Sequence, residues 1–336
     1  MKKTVIFDLF GVVFSRGLAS SIDDLARLFG RDRDQITKAY TRNEAPFDKG
    51  EIDEQEFWQR INSELHTSIS HEVLSNIVIS SYRLNHDVIQ LARYLRRGLH
   101  VVVYSNFRRQ WFDKLDKLHG VSSCFNEVYI SSDFGILKPS HEVFDLVAQR
   151  TNTDPDNIAL IDDSPRNIQA IDTWGGHGVH FTSPYTAEIQ LRRKLGFELP
   201  PYDAEYIGLL VQTQEGILIL QRGDGALGMA GAQQLTTPGS RVRLNESAVE
   251  CGIRELREAL GIRIKPEQMH HLLDLSCPFR ENQWIRCTFF QVNGVDVENL
   301  DLRPGKQIKI YQQGLASEDS NLTDLTHILL QHLASE

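Results

Sequence analysis

The sequence predicts an α/β protein whose first part is a doubly wound parallel sheet and whose last third follows a different pattern. Three observations carry this. Short β-branched or aromatic runs, Val5–Phe7, Val101–Tyr104 and Ile158–Ile161, stop at Asp8, Ser105 and Asp162–Asp163. Runs of that kind read as buried parallel strands. Stretches with apolar residues at helical spacing lie between them, as the crossovers of a parallel sheet require. After Leu199-Pro200-Pro201-Tyr202-Asp203 this alternation gives way to paired strand-like runs.

The first element is KKTVIFDLFGVVF, Lys2 to Phe14. Its apolar run ends at Asp8, and in an open α/β sheet ligands bind at the carboxyl ends of the strands. A carboxylate there is a candidate nucleophile or Mg²⁺ ligand, or simply a cap on the next turn. From about Gly17 to Leu84 the pattern is helical. Ser21 is placed to cap a helix with apolar face Ile22, Leu25, Leu28 and Phe29, closed by Gly30. Asp53 and Glu56 stand at capping-box spacing before Phe57, Ile61 and Leu65. Tyr40, Phe47, Phe57 and Trp58 either line a pocket or form the core of this helical region.

Sheet and helix alternation then resumes. Val88, Leu91, Ala92 and Leu95 mark a helix face, ended by Gly98 before the strand that reaches Ser105. Further strands are expected near Val128–Ile130 and Val179–Phe181, and Lys138–Pro139 precedes a helix with Val143, Phe144 and Val147 inside. Asn167 either supports a metal's water shell or is a polar residue at a helix N-terminus.

Composition narrows the class. The 336 residues suffice for two domains of ordinary size. Lys+Arg 36 against Asp+Glu 45 gives net charge −9, which argues against a general nucleic-acid or anionic-membrane binder. Cys124, Cys251, Cys277 and Cys287 are widely spaced without a CxxC pair, so neither a disulfide framework nor a zinc site is expected. No signal peptide is expected, because Asp8 interrupts the first apolar run. No stretch approaches the roughly 20 apolar residues of a membrane span. The expectation is a soluble, cytoplasmic protein.

Asp8, Ser105, Lys138 and Asp162–Asp163, in that order and at strand ends, resemble the haloacid dehalogenase-like hydrolase superfamily over about residues 1–199. The resemblance implies a Rossmann-like core with a small helical cap at about 17–84. It makes Asp8 a nucleophile that becomes an acyl phosphate. It makes Ser105 and Lys138 the phosphate clamp, with Asn106 beside them as a substrate-binding residue. It implies a Mg²⁺ site from Asp8, the backbone carbonyl of Phe10, Asp162 and Asp163, with Asp163 the direct ligand of the pair. Phosphatases of the family usually carry a second Asp where Phe10 stands, and a phenyl ring cannot perform general acid–base work, typically worth about 10²–10⁴-fold.

Beyond the break, strand-like runs at Tyr206–Gln212 and Gly216–Gln221 precede Thr236–Ile262, which resembles the Nudix box. Ser240 stands for the first Gly; Glu246, Arg254, Glu255, Leu256, Glu258, Gly261 and Ile262 match, and Ala259 replaces the second paired glutamate. Val249, Ile253, Leu256 and Leu260 are expected to bury. Glu255, Glu258 and position 259 would share a second, cation-holding face, so that Ala259→Glu would strengthen Mn²⁺ or Mg²⁺ binding. The resemblance implies an α/β/α Nudix sandwich over 203–336. Strands near Leu272–Leu275 and Trp284–Val292, a turn at Pro278 to Gln283 and a helix from Leu322 to Leu333 complete it.

Three functions follow. The first is a Mg²⁺-dependent phosphomonoesterase or phosphotransferase acting at Asp8 on a small phosphorylated metabolite or nucleotide. The second is a phosphate- or nucleotide-binding or regulatory protein that has lost turnover. The third is a Nudix diphosphohydrolase. Oligomeric state is not legible.

Overall fold

The computed structural model describes residues 2–16, 18–198, 202–221, 235–278, 284–297, 300, 302, 307–311, 326, 329 and 330. The chain divides into two compact units, Met1–Pro200 and Pro201–Glu336.

The first unit carries a parallel sheet of strands β1 (Thr4–Phe7), β4 (His100–Ser105), β5 (Glu127–Ile130), β6 (Ile158–Asp162) and β7 (His177–His180), in the order β5-β4-β1-β6-β7. The doubly wound α/β core with a parallel sheet is therefore present as expected. Phe7 pairs in register with Val103 of β4 and Ile161 of β6. Chain order reverses between β1 and β6, and the crevice at such a switch point is where doubly wound sheets bind ligands. Asp8 and Asp162 border it.

Helices α5 (His86–Leu95), α6 (Arg109–His119), α7 (His141–Thr151) and α8 (Pro165–Trp174) make the crossovers, and α9 (Pro184–Leu195) follows the last strand. Val88, Leu91, Ala92, Leu95, Val143, Phe144 and Val147 are fully buried, as their spacing predicts. Against one sheet face, Ile6, Val102, Tyr104 and Leu160 pack on Val143, Phe144 and Val147. That closed apolar layer fixes where the strand ends fall.

A short antiparallel ribbon, β2 (Phe14–Arg16) with β3 (Tyr82–Leu84), is the stalk of the helical insertion. Between its strands run α1 (Leu18–Phe29), α2 (Arg33–Asp48), α3 (Glu54–Leu65) and α4 (His71–Ser81). Asp53 caps α3 by accepting the Glu56 N–H at 2.8 Å. Ser21 does not cap: α1 starts three residues earlier, and Ser21 is buried inside it. Tyr40, Phe47, Phe57 and Trp58 are at most 2% exposed and pack on one another and on Trp111 of α6. They form the core of the insertion rather than a pocket wall.

The second unit holds a mixed sheet: β8 (Ala204–Thr213), β9 (Ile217–Gln221), β10 (Leu235–Thr236), β11 (Gly239–Arg241), β12 (His270–Pro278), β13 (Trp284–Val295) and β14 (Gln307–Tyr311). β8 and β13 pair in parallel and the remaining pairs are antiparallel. Helix α10 (Ala248–Leu260) begins at a Ser247–Glu250 capping box and ends at Gly261. The turn expected at Pro278 to Gln283 lies outside the described residues, apart from Pro278, which ends β12. The same holds for most of the helix expected at Leu322 to Leu333, of which Thr326, Leu329 and Leu330 are helical.

The inner side of α10 differs from expectation. Cys251, Gly252, Glu255, Leu256, Ala259 and Leu260 are buried, whereas Val249 and Ile253 are only partly covered. Ala259 is fully buried in an apolar cluster with Leu209, Val211, Leu256 and Phe290, so position 259 faces the core. The expected gain in cation binding from Ala259→Glu is accordingly revised. A carboxylate placed there should cost about 3 kcal/mol or more, by desolvation and overpacking. The expected result is a lower melting temperature that millimolar Mn²⁺ does not restore. Stabilisation of the variant alone by Mn²⁺ would show instead that its side chain reaches a cation.

Candidate active site

The loop leaving β1 is tight. The Asp8 N–H donates to Ile161 O at 2.9 Å, and Asp8 Oδ1 accepts the Leu9 N–H at 2.7 Å. Gly11 has φ +84°, and a Cβ built there would lie 2.1 Å from Asp163 Oδ2. Only glycine allows that close approach of backbone to carboxylate. Gly11 thus seats Asp163 beside the loop that follows Asp8, a role its sequence context hinted at only through its place between two apolar runs.

Lys138 reaches the crevice from the loop before α7. Its Nζ lies 2.8 Å from Asp8 Oδ1 and 2.6 Å from Asp162 Oδ2, and its side chain is only 1% exposed. Asn106 holds this lysine: its Oδ1 accepts the Lys138 N–H at 2.8 Å and its Nδ2 donates to Lys138 O at 2.9 Å. Both ends of the amide bond the Lys138 backbone, so Asn106 places Lys138.

Asp162 is fully buried and nearly saturated. It accepts Lys138 Nζ, the Ser164 N–H at 2.9 Å, and Asn167 Nδ2, which lies 3.0 Å from each oxygen. Asn167 therefore orients Asp162. Asp163 is the more accessible of the pair. Carboxylate oxygens of Asp8, Asp162 and Asp163 lie within 4.8 Å of one another, the one group of three or more potential metal ligands among the described residues. Glu255 and Glu258 belong to no such group; Glu258 lies 3.8 Å from Arg254 Nη1.

Three carboxylates around a single ammonium leave an excess of negative charge. Burial pushes Asp8 up to about 7, with Lys138 opposing and Asp162 adding to the rise. Burial and Asp162 raise Asp163 as well. Lys138 is raised by Asp8 and Asp162 against its own burial, so it stays an ammonium. Ser105, at the end of β4, is 1% exposed, and its Oγ has no hydrogen-bond partner among the described residues. A buried hydroxyl with that capacity unspent can donate to an oxygen brought into the crevice.

Phe10 stands between Tyr82 and Phe107, with ring centroids 4.5 and 4.3 Å away. It supplies no titratable group beside Asp8. Sequence reasoning also missed Arg108, because an arginine just past a strand end reads as a surface charge; it is 4% exposed.

The haloacid dehalogenase-like hydrolase family profile matches residues 2–172, and the chain belongs to that family. It is similar to Sesquiterpene phosphatase astK of Aspergillus oryzae, 24% identical over 197 residues that cover 58% of this chain and 97% of that protein. Among solved structures, a HAD family enzyme of Bacteroides thetaiotaomicron aligns with TM-score 0.50 at 20% identity, covering 54% of this chain and 94% of that one. A predicted HAD-like family hydrolase from Porphyromonas gingivalis aligns with TM-score 0.51 at 18% identity, covering 59% and 100%. The two structures speak for the fold. No helix among the described residues is long and apolar enough to cross a membrane.

Proposed function

We propose that residues 1–199 form a phosphomonoesterase domain that works through an aspartyl phosphate at Asp8. The observation that carries this is the convergence of Asp8, buried Lys138 and the unpartnered Ser105 hydroxyl at one end of the sheet. Asp8 attacks phosphorus and the ester oxygen departs with its electron pair. Water then attacks the acyl phosphate, freeing inorganic phosphate and Asp8. The Ser105 hydroxyl donates to a phosphoryl oxygen, and the Lys138 ammonium holds charge at the attacked centre.

The residues also fit a divalent cation. Asp8 and Asp163 would hold it, with the carbonyl of Phe10, while Asp162 orients Lys138; the carboxylate excess supplies the reason. When bound, Mg²⁺ supplies the charge that offsets the phosphate and the acidic cluster.

For substrate, we favour a small phosphomonoester with an apolar organic group, within the wider class of phosphorylated metabolites and nucleotides. Phe10, half-buried two residues past Asp8 and backed by the buried rings of Tyr82 and Phe107, offers an apolar face beside Asp8, and the name of the Aspergillus relative places a sesquiterpene on that enzyme. A leaving group that departs without protonation suits a site lacking an acid at position 10. Aryl and acyl phosphates should therefore turn over faster than alkyl phosphates of similar size. Phe10→Asp should raise alkyl phosphate turnover selectively, by about 10²-fold, with the melting temperature followed because Phe10 packs on two rings. Brisk wild-type hydrolysis of a sugar phosphate, lost in Asp8→Asn, would assign the proton to another group. Glu44 of α2 would be examined first, since burial and Asp48 push its carboxyl up to about 7.

Phe10 also supports a second reading, a binding or regulatory protein that keeps phosphate affinity without turnover. For residues 203–336 we propose a divergent Nudix domain. Its support is the Glu246–Arg254 ion pair, 2.6 Å and largely buried, which joins two positions of the box. Buried Ala259 argues against diphosphohydrolase activity there.

A further inference from the structure

We infer that Arg108, with Asp48 and Tyr40, is a positioning device that seats the helical cap against the loop carrying Ser105 and Phe107. The inference rests on the phosphatase reading for its kinetic consequence, though not for its structural one.

Arg108 follows Ser105 by three residues and opens α6, yet its guanidinium is enclosed. It bonds the Asp48 carboxylate and donates to Tyr40 Oη at 2.5 Å, both from cap helix α2. It lies 3.9 Å from the Trp111 ring and 4.7 Å from the Phe107 ring on the core side, and 4.3 Å from the Phe47 ring on the cap side. One charged group is therefore shared between two substructures.

A second tie runs parallel to it. Ser131 Oγ, just past β5, accepts the Phe107 N–H at 2.9 Å and donates to Asp48 O at 2.6 Å. From Phe107 the contact continues to Phe10, two residues past Asp8. The end of α2 thus reaches both the phosphate loop and the nucleophile loop through packed, hydrogen-bonded groups.

The energetics explain why this acts as a register. A buried guanidinium or carboxylate is costly unless paired, so the pair penalises every seating of the cap in which Arg108 and Asp48 do not meet. Such a pair adds little net stability compared with an apolar contact, but it specifies one arrangement. Lysine would keep the charge and lose both the fork geometry and the stacking.

The test uses the full chain with Arg108→Met, Arg108→Lys and Asp48→Asn, reading hydrogen exchange segment by segment together with kcat and KM for an aryl phosphate. Exchange is expected to rise about tenfold in residues 36–50 and 105–110 together, in Arg108→Met and in Asp48→Asn alike, while β1 and β6 keep their protection. Turnover is expected to fall mainly in kcat, with KM little changed, and Arg108→Lys to recover thermal stability but not kcat. Loosening confined to the mutated segment, or joint loosening with kcat unchanged, would overturn the inference and leave Arg108 as packing alone. If the wild type has no turnover, the exchange arm still decides the coupling, and the phosphatase reading fails separately. Should Arg108→Met not fold, Arg108→Lys and Asp48→Asn carry the same comparison.

Discussion

Asp8→Asn is expected to remove phosphatase turnover, by a factor of about 10⁴ or more, because the amide cannot form the acyl phosphate. The fold should survive. Asparagine keeps an oxygen to accept the Leu9 N–H, which Asp8 now accepts at 2.7 Å. It also takes one charge from a cluster of three carboxylates and one ammonium. The melting temperature should therefore hold or rise. Activity lost together with a collapsed melting curve would mean that Asp8 is mainly structural. Undiminished activity in a well-folded Asp8→Asn would place the chemistry elsewhere.

Lys138→Met has the opposite signature. It leaves Asp8 and Asp162 buried without their shared counter-charge, and breaking a buried pair from one side costs about 3–5 kcal/mol. For a unit of this size that is a fall of about 10 °C in melting temperature. The loss should depend on pH in a definite direction. Burial already raises the Asp8 carboxyl and Lys138 opposes that rise, so without the ammonium Asp8 is held further above its unfolded range and the folded state tolerates it best when protonated. The variant should lie nearer to wild type at pH 5 and fall further behind as pH rises to 8. A calorimetric series across that range checks it, and a deficit that shrinks toward pH 8 would contradict this electrostatic account.

Much of the core was legible because its signals are local. Val5–Phe7, Val101–Tyr104 and Ile158–Ile161 read as buried strands and are, and each is followed directly by a polar site residue. The helix faces at Val88–Leu95 and Val143–Val147 follow from spacing alone. What was hidden depends on groups distant in sequence. Nothing local shows that Asn106 spends both ends of its amide on Lys138, 32 residues away. Nothing local shows that Arg108 is buried against Asp48, 60 residues earlier. Ser21 was misplaced because capping residues also occur inside helices, where only the tertiary surroundings decide. In α10 the helical period was right and Leu256 and Leu260 bury as expected, while Val249 and Ile253 lie at the edge of the buried face. Glu255 and Ala259 turn inward with Leu256 and Leu260, a rotation that the sheet beneath them sets.

The most direct measurement is rapid quenching of the full chain, with Mg²⁺ and an aryl phosphate, followed by mass spectrometry of the peptide spanning Thr4–Phe14. The account predicts a transient phosphoryl adduct on Asp8, formed within the first turnover and absent from Asp8→Asn. Multiple turnovers with no adduct on that peptide, or an adduct on another residue, would contradict it.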